Sequence, residues 1–209
     1  MRMHIDEKKQ GDTMNQKERN ELSRARILMH ASAEFAEYGY HGASVNRICE
    51  KGKVSKGLMY HYYKDKDDLY LACVKLCYNR IAELAFNKLD MNPVTVEKCF
   101  DSRAAYFEEH LVHYHLYLDS NTNITPHLQE QLRQCRAEYD AVIYKLFSAI
   151  LKNEYSEATI DIDFAFTMLT IVRRGVNSYI GTQKAETFTP ADHATLCKQV
   201  VNTVIRGLS

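Results

Sequence analysis

The chain has 209 residues, enough to bury a full core as one domain or as a small domain joined to a larger one. Its 27 basic and 27 acidic residues cancel, which excludes a general affinity for polyanions and confines any nucleic-acid surface to a local patch. No run approaches the roughly 18 apolar residues of a membrane span, and the opening MRMHIDEKKQ lacks the apolar stretch of a signal peptide, so a cytoplasmic protein with no membrane partner is expected.

Six cysteines (Cys49, Cys73, Cys77, Cys99, Cys135, Cys197) form no CxxC pair, which favours reduced thiols packed as small hydrophobes. With 8 Gly, 3 Pro and long helix-period stretches, the chain reads as all-α. Three parts are expected: a flexible polar tail over 1–14, a helix-turn-helix DNA-binding domain over 15–66, and a larger helical domain over 67–209.

Asn15 followed by Glu18 forms a capping-box pattern and opens a helix over 16–38, with Ile27, Leu28, Ala31 and Phe35 inward. Gly39 ends it. Ser44 caps a second, short helix with Val45, Ile48 and Cys49 on one face, and Gly52-Lys53 makes the turn. Ser55 caps a third helix ending near Tyr63. Asp65, with Asp68 three residues on, starts a fourth that turns Leu69, Cys73 and Leu76 inward. After a break at Asn92-Pro93 comes a helix over 95–118, ended by the polar run Asp119 to Asn123. Pro126 suits the first turn of a helix over 126–152. Two more follow, over 161–181 and 190–207, separated around Gly181. There is no internal repeat, phosphate-cradling glycine loop or low-complexity tract.

The most informative stretch is VSKGLMYHYYKDKDDLY, Val54 to Tyr70. From Arg47 to Lys66 six cations stand against two anions, whereas residues 71–209 hold 14 cations and 16 anions, so positive charge is local to this stretch. Two short helices with a tight turn, the second capped by Ser55, describe a helix-turn-helix. Lys56 would reach a base edge or phosphate, Gly57 would allow close backbone approach, and Leu58 would offer only apolar contact, as to a thymine methyl. Tyr60, His61 and Tyr62 offer donors to phosphates. Lys64 and Lys66 follow, the latter at a helix N-terminus. Val54, Met59 and Tyr63 are the core side of the same helix, held against Phe35 and Ile48.

From about Arg26 to Leu71 the chain resembles the TetR family of transcriptional regulators, through RILMHASAEFAEYGYHGASV and RICEKGKVSKGLMYHYYKDKDDL. The resemblance implies DNA contact by Ser44, Ser55, Lys56, Gly57, Tyr60, His61, Tyr62 and Lys66, to which the local charge adds Arg47 and Lys64, and the apolar groove contact adds Leu58. Three positions depart from the family pattern. Leu58 replaces a smaller residue, Lys53 stands where Gly is common, and Glu34 replaces a usual Leu.

Beyond residue 71 the resemblance implies only architecture: a helical ligand-binding and dimerisation domain whose last two helices pair with their twins. Phe164, Met168, Ile171, Val172, Val200 and Val204 are the candidate dimer seam. An effector pocket, or else an aromatic-rich core, is expected around Phe100, Tyr106, Phe107, His110, Tyr114, Tyr139 and Phe147. His110, His113 and His115 cannot all converge from one helix at 100° per residue, so no metal is expected, and no cofactor. Cys73 and Cys77, four apart, read as core filler rather than a thiol switch. No Ser/His/Asp set, carboxylate pair or phosphate loop points to an enzyme. The expectation is a homodimeric repressor on a pseudo-palindromic double-stranded DNA operator, released by a small amphipathic or aromatic effector. The alternative keeps the fold without an effector, controlled by a protein partner or acting as an activator.

Overall fold

The computed structural model describes residues 15–83, 93–122, 125–154, 161–182 and 188–207. The expected tail over 1–14 lies outside them. The described residues form ten α-helices: α1 Gln16–Gly42, α2 Val45–Gly52, α3 Lys56–Tyr62, α4 Lys66–Ile81, α5 Val96–Glu109, α6 Leu111–Thr122, α7 Gln129–Cys135, α8 Ala137–Glu154, α9 Ile162–Thr182 and α10 Pro190–Gly207. A 3₁₀ turn, Pro126–Leu128, precedes α7 with Pro126 in its first position.

Local chemistry sets the N-terminal boundaries. Asn15 Oδ1 accepts from the Glu18 amide at 2.9 Å while Glu18 Oε2 accepts from the Asn15 amide at 2.8 Å, which closes the capping box on α1. Ser55 Oγ accepts from the Leu58 amide at 3.1 Å and opens α3. Asp65 Oδ1 accepts from the Asp68 amide at 2.9 Å and opens α4. Gly39, at φ +67°, interrupts α1 as expected, and a last turn continues to Gly42. A Cβ at Gly39 would also lie 3.0 Å from Asp119 Oδ1, so α1 meets α6 here without room for a side chain.

Other boundaries differ from the sequence expectation. Ser44 sits at the N-cap of α2 but makes no side-chain cap; its amide donates instead to Glu34 Oε1 at 3.0 Å. The expected helix over 95–118 breaks at His110, at φ −135° and ψ 60°, with no Gly or Pro to announce it. The break lets α5 pack on α10 while α6 turns to α1 and α9. Asp119 and Ser120, expected to end that helix in a loop, are buried inside α6. The expected helix over 126–152 divides into the 3₁₀ turn, α7 and α8, with its second break at the buried Arg136. Leu76 is 36% exposed, because α4 turns Leu69, Cys73 and Cys77 inward together with Tyr70, Val74 and Tyr78.

α4 joins the two regions, packing on α1 at one end and on α6, α7 and α8 along its length. The core is correspondingly continuous: Ile27, Phe35, Ile48 and Met59 under the helix-turn-helix connect through Tyr70 and Tyr78 to Tyr117, Tyr139 and Val201. No helix among the described residues is long and apolar enough to cross a membrane.

Candidate DNA-binding face

α2 and α3 meet through Lys53, whose left-handed φ of 49° makes the turn that a glycine commonly makes. Lys53 amide donates to Glu50 O at 3.1 Å and the Val54 amide to Cys49 O at 3.0 Å, so the strained residue is held by backbone bonds on both sides. Gly52 sits inside the last turn of α2, where a Cβ would approach the His30 ring at 3.2 Å.

Met59 is fully buried and Tyr63 nearly so, and they hold α3 against Ile48 and Phe35 as expected. Tyr63 Oη also accepts from Arg24 Nε at 3.3 Å, tying the end of α3 to α1. With that side fixed, Lys56, Gly57, Tyr60 and His61 face outward, and Tyr60 is half exposed. Leu58 and Tyr62 are half-buried at the margins, and the His61 and Tyr62 rings meet edge to face at 5.1 Å. Ser55 and Lys64 are exposed, although the Ser55 hydroxyl is already engaged as an acceptor in its cap. Tyr62 faces a recess shared with Lys17 and Arg24 of α1, two cations that the sequence reading left off the face; their sequence distance from α3 hid them.

Two of the expected contacts are engaged within the protein. Arg47 Nε donates to the fully buried Glu34 at 2.6 Å, its Nη2 donates to Gly42 O at 2.7 Å, and its guanidinium lies 4.4 Å over the Tyr38 ring. Lys66 reaches His41 O at 3.4 Å and stands 4.9 Å over the Tyr40 ring; burial lowers its pKa from the ordinary lysine value. Glu34 is therefore an anchor: it also accepts from Lys51 Nζ at 3.3 Å, so one buried carboxylate fixes α2 on α1. Its departure from the family's apolar residue replaces packing by charge.

In the larger region the aromatic residues expected to line a pocket mostly build the core. Tyr106, Phe107, Tyr114 and Tyr139 are buried and packed on one another or on Tyr117. The cavity lies instead between α5, α8, α9 and α10, and of the seven expected residues only Phe100 and Phe147 line it. Val172 and Val200, assigned to the dimer seam by periodicity, also face this cavity. Phe164 and Ile171 are exposed on α9, at 55% and 59%, with Tyr179 further along, while Met168 and Val204 are half-buried.

His110 and His113 approach to 5.8 Å beside Tyr106, whose hydroxyl meets His113 Nδ1, while the His115 ring lies tilted 5.7 Å from that of Tyr114. No group of three metal-ligating side chains occurs among the described residues. Burial pushes the Cys73 thiol up to about 12 and raises that of Cys77 further; each thiol donates to a backbone carbonyl, of Leu28 and His113 respectively. Both are core thiols kept protonated, not reactive thiolates.

A short, anchored helix presenting lysine, glycine and tyrosine outward across a tight turn from a supporting helix is the arrangement of a helix-turn-helix, a motif that docks in the DNA major groove. Residues 27–73 match the family described as bacterial regulatory proteins, tetR family. Over this segment the chain is similar to TetR-family regulators. Among curated relatives, the HTH-type transcriptional repressor AcnR of Corynebacterium glutamicum is 42% identical over 62 residues, 30% of this chain and 33% of that protein. The match thus spans about a third of the relative's own length. The fold extends further. A fatty acid degradation regulator, FadR, of Bacillus halodurans superposes with a TM-score of 0.68 at 20% identity, over 89% of this chain and 100% of that one. FadR from Bacillus subtilis, solved with stearoyl-CoA, does so with a TM-score of 0.65 at 16% identity, over 89% and 100%.

Proposed function

We propose that the chain is a homodimeric repressor that reads a two-fold symmetric operator and leaves it when a small amphipathic molecule enters the cavity between α5, α8, α9 and α10. The observation that carries the reading is the outward face of α3, where Lys56, Gly57, Tyr60 and His61 stand free while Met59 and Tyr63 are locked beneath. Lys56 would reach a base edge or phosphate, Gly57 lets the backbone come close, and Tyr60 donates to a phosphate. Ser44, Ser55, Tyr62 and Lys64 supply the flanking backbone contacts. Arg47 and Lys66 would join them only by leaving internal partners.

Support for a dimer comes from α9, where Phe164, Ile171 and Tyr179 expose large apolar surfaces along one helix. A twin covering that face would place two reading heads in successive major grooves. Support for an effector comes from the cavity, whose walls are apolar apart from two arginines. Its volume is about 60 Å³, well below the roughly 300 Å³ of an ordinary ligand pocket. An effector must therefore part the helices, and binding would favour a second conformer over the one described here. The same small volume favours a second reading, in which no effector exists and a protein partner sets occupancy, or the protein activates.

Selection of bound sequences from a random double-stranded pool tests the core of the proposal, and a two-fold symmetric motif is the expected result. On that operator, about eight phosphate contacts per dimer give a log–log salt slope near −7. Recovery of no motif would remove the sequence-specific reading, and a slope near zero would remove its electrostatic basis.

A further inference from the structure

The interior around the cavity holds more positive charge than its carboxylates balance. Arg103, Arg136 and Arg173 are 3%, 6% and 8% exposed. Asp140 serves two of them: Arg173 Nη2 donates to its Oδ1 at 2.7 Å, and Arg136 Nε stands 3.8 Å from its Oδ2. Among the described residues Arg103 has no carboxylate within ion-pair distance. Its hydrogen bond goes to the Tyr139 hydroxyl at 3.5 Å, with the Cys197 thiol nearby, and neither group is a carboxylate. Its guanidinium lies 4.7 Å over the Phe100 ring and 5.8 Å over that of Tyr117. These rings hold the cation in place, but neither they nor the tyrosine hydroxyl supplies an opposite charge.

Arginine does not escape this cost by losing its proton, and an unpaired buried charge is among the most expensive groups in a protein. A second polar group near Arg103 is also unserved. His193 on α10 is 1% exposed and neither ring nitrogen has a hydrogen-bond partner. Burial and the nearby Arg103 push its pKa down to about 3, so it stays neutral and adds no counter-charge.

We propose that the effector is an anionic amphiphile, an apolar body ending in a carboxylate, and that Arg103 receives the carboxylate at the inner wall of the cavity. The apolar body lies among Phe100, Phe147, Leu146 and Val172, and its negative end supplies the charge that Arg103 lacks. The inference rests on the effector reading above and names the ligand class of that site. Arg173 is the secondary cation, already satisfied by Asp140.

The test uses the full chain and the sodium salts of hexanoic, octanoic and decanoic acids, each against the straight-chain alcohol of equal length. Affinities come from calorimetry and melting temperatures, on wild type and Arg103→Met. The expected result is that acids bind more tightly with length and exceed the matched alcohols by roughly 10- to 100-fold, the worth of a charged hydrogen bond. In Arg103→Met, acid and alcohol should bind alike, and the ligand-free variant should melt no lower than wild type, since an apolar side chain replaces an unpaired charge. Equal binding of acid and alcohol by wild type would overturn the proposal, as would no binding of any acid or an undiminished acid preference in Arg103→Met. The wild-type comparison stands even if the variant fails to fold. Operator release is measured separately: acids that bind without releasing DNA would leave the anion site standing and remove the effector-released repressor. Alcohols that bind and release DNA as well as acids would do the reverse.

Discussion

Replacing Glu34 by alanine should destabilise the protein by about 3 kcal/mol, and the structure shows where the figure arises. The carboxylate is fully buried and accepts from the Ser44 amide at 3.0 Å, Arg47 Nε at 2.6 Å and Lys51 Nζ at 3.3 Å. Loss of the acceptor leaves the Ser44 amide without its partner, at about 1–3 kcal/mol. The two cations keep 41% and 46% of their side chains in solvent; they regain water, so each contributes only about 0.5–1 kcal/mol. At roughly 2–4 °C per kcal/mol for a chain of this size, the melting temperature should fall by about 6–12 °C. The difference should depend on pH with a fixed sign. Burial raises the Glu34 carboxyl, but hydrogen bonds from Ser44, Arg47 and Lys51 outweigh it and hold its pKa below the ordinary carboxylate value. A carboxyl whose pKa falls on folding stabilises fully above its unfolded value of about 4.3 and loses that contribution as pH drops through the folded value. Urea unfolding of wild type and Glu34→Ala at pH 7 and at pH 3 measures both effects. A difference below about 1 kcal/mol at pH 7, or one that grows on acidification, would refute the anchoring role.

Lys56→Ala should weaken operator binding by about 1–3 kcal/mol and relax preference at one base position; equal weakening on every sequence would assign Lys56 to phosphate instead. Tyr60→Phe should weaken specific and non-specific DNA alike by about 0.5–1.5 kcal/mol in a fluorescence titration, and unchanged affinity would clear its hydroxyl of phosphate contact. Gly39→Ala meets both a φ of +67° and Asp119 Oδ1 at 3.0 Å; urea unfolding should show a loss of about 1–3 kcal/mol, and a neutral change would mean that α1 and α6 can separate there at no cost.

The features legible in the sequence are those set by chemistry within a few residues. Asn15, Ser55 and Asp65 each cap the helix that their side chains announce, and Gly39 breaks α1 where only a left-handed residue fits. The reading helix follows from the same local logic, since Met59 and Tyr63 must face inward if Lys56 and Tyr60 face out. What stayed hidden depends on distant packing. His110 carries no breaker, and α5 ends there because α5 and α6 pack on different partners. The aromatics of α5 and α6 looked like a pocket, but large rings gain most by full burial, and Phe107, Tyr117 and Tyr139 pack on one another instead. The cavity fell to aliphatic residues such as Val172 and Val200, because an apolar stripe reads the same whether it faces a twin helix or an internal space. Glu34, read only as a departure from an apolar pattern, proves to be the central ion-pair partner of α2.

The helix-turn-helix meets the larger region through α1 and α4, and two carboxylates sit at that junction. Asp119 on α6 accepts from Tyr70 on α4 at 2.7 Å and abuts Gly39. Asp67 on α4 accepts from Tyr40, just past Gly39, at 2.5 Å and pairs with His127 beside α7 at 2.9 Å. The Tyr40 and Tyr70 rings meet at 5.1 Å, so the two carboxylate sites share one aromatic contact. The Tyr40 hydroxyl, followed by His127, holds the Asp67 pKa below the ordinary range, and burial with donation to Asp67 pushes the Tyr40 phenol up to about 12. The pair is thus locked as a donor and a carboxylate at neutral pH. Asp67→Asn removes the charge while keeping the shape. Hydrogen exchange should then quicken in α1 to α3 by roughly 5–30-fold, the worth of 1–2 kcal/mol, while α8 to α10 keep their wild-type rates. Equal acceleration in every helix would mean that Asp67 contributes only to global stability. No acceleration in α1 to α3 would mean that the head is held by its apolar packing on α4 and α6, and that the carboxylates transmit nothing.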